Sequence, residues 1–288
     1  MADSRMTSQT IVPKRMLGKS GIALSIVGLG TVKFGRVTGV KYPGVSSIPT
    51  DAEAGALLDA AERLEINLID TAPAYGDSEE RLGRLLQGRT HPWFIVTKAG
   101  EAWDGSSSSF DFSESAVSGS IDRSLDRLRV AELGCVLLHS DGHAEVEPEA
   151  FRGAIRALAR AKTSGRVRAI GASVKSFEGA IRAFEWADVL MIELGGTPAM
   201  ELVSERAAQL GIGILLKKTL ASGHLDAIGP SPIVNAMTRA FRVPGVCSAI
   251  VGTTNIAHLR ENCEAAVQAT DEVAKGLSGE RAGTEKGA

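Results

Sequence analysis

Short apolar runs rich in β-branched residues alternate along the chain with longer stretches whose apolar positions recur at helical spacing. The runs are 26–31, 67–71, 93–98, 134–139, 167–173, 188–194, 213–218 and 248–253. They are brief and mostly lack a polar alternation, which predicts parallel strands buried on both faces. Between them, Ala54, Leu57, Leu58, Ala61 and Leu64 fall on one helical face, with Thr50 and Glu53 as a capping box in front. Ile121, Leu125 and Leu128 make a second stripe, and Phe151, Ile155, Leu158 and Ala159 a third. Strict strand–helix alternation predicts a parallel sheet. Eight such units in 288 residues favour an α/β fold of the closed (β/α)8 barrel (TIM barrel) type over an open doubly wound sheet. Ahead of the first unit, KRMLGKSGIALS reads as a β-hairpin around Gly18–Gly21, placed to plug the bottom of the barrel.

Two stretches match neither period. Residues 36–49 are rich in Gly, Pro and Ser, and residues 103–113 contain the run Ser106 to Ser109. Both follow the carboxyl ends of strands, where barrel enzymes carry their active-site loops. The expected organisation is one barrel domain over 12–270, with 1–11 and the polar, Gly-rich 271–288 as flexible, frayed tails.

Composition narrows the class. A net charge of −2 gives no reason to expect nucleic acid or an anionic membrane surface as a partner. No apolar run reaches the length of a membrane span, and MADSRMTSQT lacks the apolar core of a signal peptide. Cys135, Cys247 and Cys263 are far apart and form no CxxC pair, so neither a metal site nor a disulfide framework is expected. By elimination the expected location is cytoplasmic.

The chemistry concentrates at strand ends. The second strand closes on Asp70, followed by TAPAYG with Tyr75; the third closes on Lys98 and the fourth on His139. Singly, these could be a turn cap, a rim aromatic, a solvated lysine and a core histidine. Together they bring an acid, a phenol, an amine and an imidazole to one end of three neighbouring strands. Carbonyl reduction needs a hydride on carbon and a proton on oxygen. A tyrosine hydroxyl titrates near ~10, and a nearby ammonium favours its phenolate. Lys98 can supply that charge and Asp70 can hold it. His139, if neutral, can hydrogen-bond and orient the substrate oxygen, with Tyr75 as general acid. No side chain donates hydride, so a cofactor must.

At these residues the sequence resembles the aldo-keto reductase superfamily. The matching segments are GLGTVKFG, INLIDTAPAYGDSEERLG, IVTKAG, LLHSDG, GRVRAIGAS, GIGILLKKTLASGHL and SAIVGTTNIAHLREN, in family order from about residue 14 to 270. The resemblance implies a catalytic tetrad of Asp70, Tyr75, Lys98 and His139. It also implies hydride transfer from a nicotinamide cofactor, bound without a Rossmann domain, to an aldehyde or ketone, with monomer or weak homo-oligomer as the expected state. The cofactor contacts it implies are Thr31, Ser173, Lys217, Lys218, Leu220, Gly252, Thr253, Thr254, Asn255, His258, Glu261 and Asn262. Three positions depart from the family pattern: Val174 replaces an Asn, Met191 a Gln, and Lys217 the Tyr that stacks on the nicotinamide. Gly252–Asn255 opens a helix, whose amides and dipole suit an anion. NADP(H) is expected ahead of NAD(H), although the usual arginine for the 2′-phosphate is missing and Asn255 and His258 stand in its region.

Candidate substrate walls are Val32, Tyr42 and Trp103, with His224 beyond them. Two other readings use the same fold: a cofactor-binding regulatory subunit with little turnover, and non-redox carbonyl chemistry.

Overall fold

In a computed structural model of the chain, residues 10–39, 47–142, 145, 149–194, 199–220 and 231–284 are described. A hairpin of β1 (Lys14–Met16) and β2 (Ala23–Ser25) comes first, paired antiparallel. The barrel strands are β3 (Val27–Gly30), β4 (Leu68–Asp70), β5 (Phe94–Ala99), β8 (Leu133–His139), β9 (Val167–Ser173), β10 (Val189–Ile192), β11 (Gly213–Leu216) and β12 (Val246–Val251). All are parallel, and β12 pairs back onto β3 to close the barrel. A second hairpin, β6 (Glu101–Trp103) with β7 (Ser108–Phe110), rises from the end of β5. The helices are α1 (Asp51–Arg63), α2 (Ser78–Leu85), α3 (Glu114–Leu128), α4 (Arg152–Thr163), α5 (Phe177–Ala183), α6 (Ala199–Leu210), α7 (Pro232–Arg242) and α8 (Ile256–Thr284).

Two apolar layers explain why the strands lack polar alternation. One side of each strand packs under the helices. The other fills the barrel with Leu68, Phe94, Val96, Cys135, Leu137, Val189, Met191 and Leu215. Leu17, Ile22 and Leu24 of the N-terminal hairpin belong to this inner cluster, so the hairpin does plug the barrel. Burying a side chain of this size stabilises by about 1.5–3 kcal/mol. The capping box stands as expected: Thr50 N donates to Glu53 Oε2 at 2.7 Å, and Glu53 N to Thr50 Oγ1 at 3.2 Å.

Two expectations are corrected. The buried face of α4 is Ala154, Ala157, Leu158 and Ala161, while Ala159 is exposed; small residues let this helix lie close to the strands. Residues 103–113 are not all irregular, because the Asp104–Gly105 corner folds part of them into the β6–β7 hairpin. Asp104 Oδ1 accepts from Ser106 N at 2.8 Å and Ser107 N at 2.7 Å. Helix α8 runs from Ile256 to Thr284, with Leu259, Cys263, Ala266, Ala269 and Val273 burying one stripe of its first part. Within 36–49, residues 40–46 lie outside the described residues. No helix among the described residues is long and apolar enough to cross a membrane.

Candidate active site

The end of β5 puts an ammonium inside the barrel mouth. Lys98 is 2% exposed. Its Nζ donates to Asp70 Oδ1 at 2.6 Å and to the Thr71 carbonyl at 2.9 Å, and lies 4.6 Å from the centre of the Tyr75 ring. Burial disfavours this charge, but Asp70 and the Tyr75 hydroxyl, which also hydrogen-bonds the lysine, outweigh it and raise the Lys98 pKa. The first three members of the tetrad therefore meet.

His139, at the end of β8, turns to a partner that the sequence reading passed over. Glu101 Oε2 lies 2.6 Å from His139 Nδ1, close enough for an ion pair if the ring is protonated, but too far off the line of the ring N–H for a hydrogen bond. The other Glu101 oxygen accepts the Ser108 hydroxyl across the β6–β7 hairpin. Burial tends to raise the Glu101 pKa, but His139, Ser108 and Arg36 bring it down to about 2. Burial pushes the His139 pKa below its ordinary value, with Lys98 and Lys217 adding to the effect and Glu101 opposing it. Arg36 stacks on Trp103, 3.4 Å from its ring centre, and Arg36 Nη1 donates to the Ala74 carbonyl at 3.0 Å. The aromatic wall expected at Trp103 is thus tied to the segment that carries Tyr75.

Tyr75 ends a 3-10 turn (Pro73–Tyr75) held against the loop after β3 by two glycines. Gly76 has φ +59, and a Cβ there would lie 2.2 Å from the Gly35 carbonyl oxygen. A Cβ on Gly35 would lie 2.3 Å from the Tyr75 carbonyl oxygen. Arg81 clamps both ends of the first loop, donating to the Phe34 and Pro49 carbonyls at 2.5 and 2.7 Å and to Asp51 at 2.8 Å. Val32 is half-buried in the turn Val32–Phe34, and Tyr42 and His224 lie outside the described residues.

On the cofactor side, placements are mixed. Thr31 is fully buried, and its hydroxyl bonds to the Asp70 carbonyl and Ser78, so it braces the rim from behind. Lys217 Nζ donates to Ser173 Oγ and the Val174 carbonyl, each at 3.0 Å. Its pKa falls to about 8, first through burial, then through Lys218, Lys98 and Lys175, with Glu145 opposing. Lys218 pairs with Glu193. Met191 is packed in the inner cluster. Leu220 packs on the outer core, Gly252 and Thr254 are half-buried, and Thr253 and Asn262 are buried. Asn255, His258 and Glu261 are exposed. Asn255 caps α8 itself: its Oδ1 accepts from Ala257 N at 2.8 Å and His258 N at 3.4 Å. Fewer amides are therefore open to an anion there than the motif alone implies.

These groups fit a nicotinamide dinucleotide in part. Lys217 uses two of its three ammonium protons on protein oxygens. Lys218 and Lys175 are near enough to act on its charge, and ammonium groups suit phosphates. The ring-binding side lacks the aromatic that the resemblance leads one to expect at Lys217.

Among the described residues no cluster of His, Cys, Asp or Glu could hold a metal ion, and all three cysteines are free and buried. A groove of about 590 Å³ on the outer helix ring, lined by Glu201, Glu205, Arg239 and Glu272 among others, contains none of the tetrad.

The sequence profile of the aldo/keto reductase family matches residues 27–235. A Pseudomonas aeruginosa protein assigned to the aldo-keto reductases has a crystal structure with TM-score 0.80 at 45% identity, covering 93% of this chain and 99% of that one. D-threo-aldose 1-dehydrogenase of a Pseudomonas species is 29% identical over 240 residues, which are 73% of this chain and 70% of the relative. L-galactose dehydrogenase of Arabidopsis thaliana is 33% identical over 167 residues, 56% of this chain and 48% of the relative. The match thus spans about half of that plant protein's length.

Proposed function

We propose that this chain, which belongs to the aldo/keto reductase family, interconverts a small aldehyde or ketone and its alcohol with NADP(H), Tyr75 serving as the proton donor and acceptor. The family's chemistry is nicotinamide-dependent oxidation and reduction of small carbonyl compounds. The observation that carries the reading is the buried Lys98–Asp70 pair with its ammonium beside the Tyr75 ring. An ammonium at that depth is costly unless it is paired, and this one is placed where it stabilises negative charge on the phenol oxygen.

The roles follow from the arrangement. Tyr75 Oη gives its proton to the substrate oxygen as negative charge develops there. Lys98 stabilises the phenolate left behind, and Asp70 keeps the ammonium charged and in place. In the oxidative direction the same phenolate takes the alcohol proton. Such general acid catalysis contributes roughly 10²–10⁴-fold. The bound nicotinamide would supply or take the hydride. Lys217, Lys218, Ser173 and the 252–255 loop would hold that cofactor, with His139 orienting the substrate and Val32 and Trp103 walling it. The preference for NADP(H) rests on the family resemblance, since the lysines of this rim would meet phosphates that both cofactors carry.

The test is loss of reduced-nicotinamide absorbance with a panel of reactive aldehydes, run with NADPH and NADH in parallel. Turnover that is faster with NADPH supports the reading. Faster turnover with NADH overturns the cofactor assignment alone. No turnover with either, by folded protein, overturns the activity.

A further inference from the structure

We propose that Lys217 is a nucleophilic amine at the mouth of the barrel that condenses reversibly with small aldehydes to form an imine. The inference goes beyond the oxidation and reduction proposed above and does not depend on it.

Position comes first. Side chains on a barrel strand alternate between inside and outside. Leu68, Val96, Leu137 and Leu215 belong to the inner cluster. Asp70, Lys98, His139 and Lys217 each stand two residues further along, and so form the next layer up. Lys217 reaches from the end of β11 across β10 to Ser173 Oγ and the Val174 carbonyl, each at 3.0 Å. Ser173 pairs in register with His139, so the amine shares the mouth with the tetrad.

The two lysines of this layer are held differently. Lys98 donates to the Asp70 carboxylate at 2.6 Å, which keeps it an ammonium. Lys217 forms no ion pair among the described residues, and both its acceptors are neutral, a hydroxyl and a carbonyl. An ammonium has three protons to place and no lone pair, whereas a neutral amine has two protons and one lone pair. The two acceptors match the two protons of the amine and leave its lone pair uncommitted. A charge at this depth without an anionic partner is disfavoured. Burial, then Lys218, Lys98 and Lys175, bring the pKa to about 8, with Glu145 opposing, and His139 is also within reach of this charge. Roughly a quarter of the side chain is then neutral near pH ~7.5, against about one part in a thousand for an unperturbed lysine. Desolvation and neighbouring cations are the general means by which a lysine becomes a nucleophile.

The chemistry balances without a redox partner. The Lys217 lone pair attacks the aldehyde carbon, and a C–N bond forms as the C–O π pair moves onto oxygen. Both amine protons pass to that oxygen, with the Ser173 hydroxyl placed to relay them. The C–O bond then breaks and water leaves. Hydrolysis runs the same steps backwards. The cofactor contact assigned to Lys217 uses its protonated form, and aldehyde capture uses the neutral one.

The experiment traps the imine. The full-length chain, without nicotinamide, is incubated with propanal and cyanoborohydride near pH ~7.5, and N-propyl groups are located by peptide mass mapping over a time course. Lys217 is expected to gain its propyl group roughly tenfold or more faster than any other lysine, the larger neutral fraction being partly offset by lower basicity. Lys98, in the same layer but paired with Asp70, is expected to stay unlabelled. Propanal without the reductant is expected to leave no label after dialysis. Labelling of Lys217 at or below the rate of exposed lysines, or a label there that survives dialysis without reductant, overturns the proposal. The trap needs neither cofactor nor turnover, so a failure to reduce any aldehyde would overturn the activity proposed above and leave this result standing.

Discussion

Lys98 is one of the largest fully buried side chains in the molecule, and Asp70, also buried, is the anion paired with it. Removing one partner leaves an uncompensated charge at depth, which costs about 3–5 kcal/mol. Lys98→Met is therefore expected to lower the urea midpoint strongly, and the double variant Lys98→Met with Asp70→Asn to recover much of the loss; equal midpoints for the single variant and the parent protein would contradict the pairing. Lys217 makes a different prediction. It faces Lys98, Lys175 and Lys218 as cations and Glu145 as an anion, and its pKa is lowered to about 8. The side chain is thus an ammonium below that pH and loses its charge as pH rises through it. If this ammonium helps to hold the cofactor's phosphates, the Kd for NADPH, measured by fluorescence titration, rises between pH 7 and 9 in the parent protein, and Lys217→Gln flattens that change. An identical pH dependence in the variant would remove Lys217 from the cofactor site. The meeting of Asp70, Tyr75 and Lys98 was legible in the sequence because each sits at or just after the end of a strand. Glu101 was not. Its signal was the Asp104–Gly105 corner, a recognised hairpin turn, but the serine run beside it has poor strand propensity and read as loop. For Thr31 the sequence left its partner open: a hydroxyl at a strand end is equally suited to a ligand and to a neighbouring carbonyl, and here it donates to Asp70 O.

At the scale of elements, the Tyr75 turn depends on contact between two loops. Gly76 occupies left-handed backbone, and any side chain there meets the Gly35 carbonyl. Gly76→Ala is expected to cost upward of about 1 kcal/mol of stability through strain. It should also lower kcat/KM by roughly 10²-fold by shifting Tyr75 about 1 Å. Stability without loss of turnover would show that the turn tolerates displacement. Helix and strand existence was predictable because periodicity is strong over whole elements. Boundaries were less so. Strand β11 ends at Leu216, yet Lys217 and Lys218 look continuous with it in sequence. The length of helix α8 was not legible, because an alanine stripe buries little volume per residue and does not stand out from a polar, Gly-rich tail.

In the molecule as a whole, the barrel is sealed at one end by the N-terminal hairpin and carries its chemistry at the other. Leu17 and Leu24 are fully buried in the same cluster that supports Met191 and Leu215 from below. Leu24→Ala should cost about 2–5 kcal/mol while leaving the KM for substrate unchanged in the protein that remains folded; a shifted KM with normal stability would mean that the plug communicates with the mouth. The closed order of the strands followed from counting eight βα units, whereas the assignment of the inner and outer faces of each strand required the structure, since both faces are apolar.

Tyr75→Phe tests the central claim most directly. It removes one hydroxyl and keeps the ring over Lys98, so NADPH affinity by fluorescence titration should be unchanged while aldehyde reduction falls by about 10²–10⁴-fold. A variant that binds cofactor normally and still reduces aldehydes at the parent rate would contradict the assignment of Tyr75 as the proton donor.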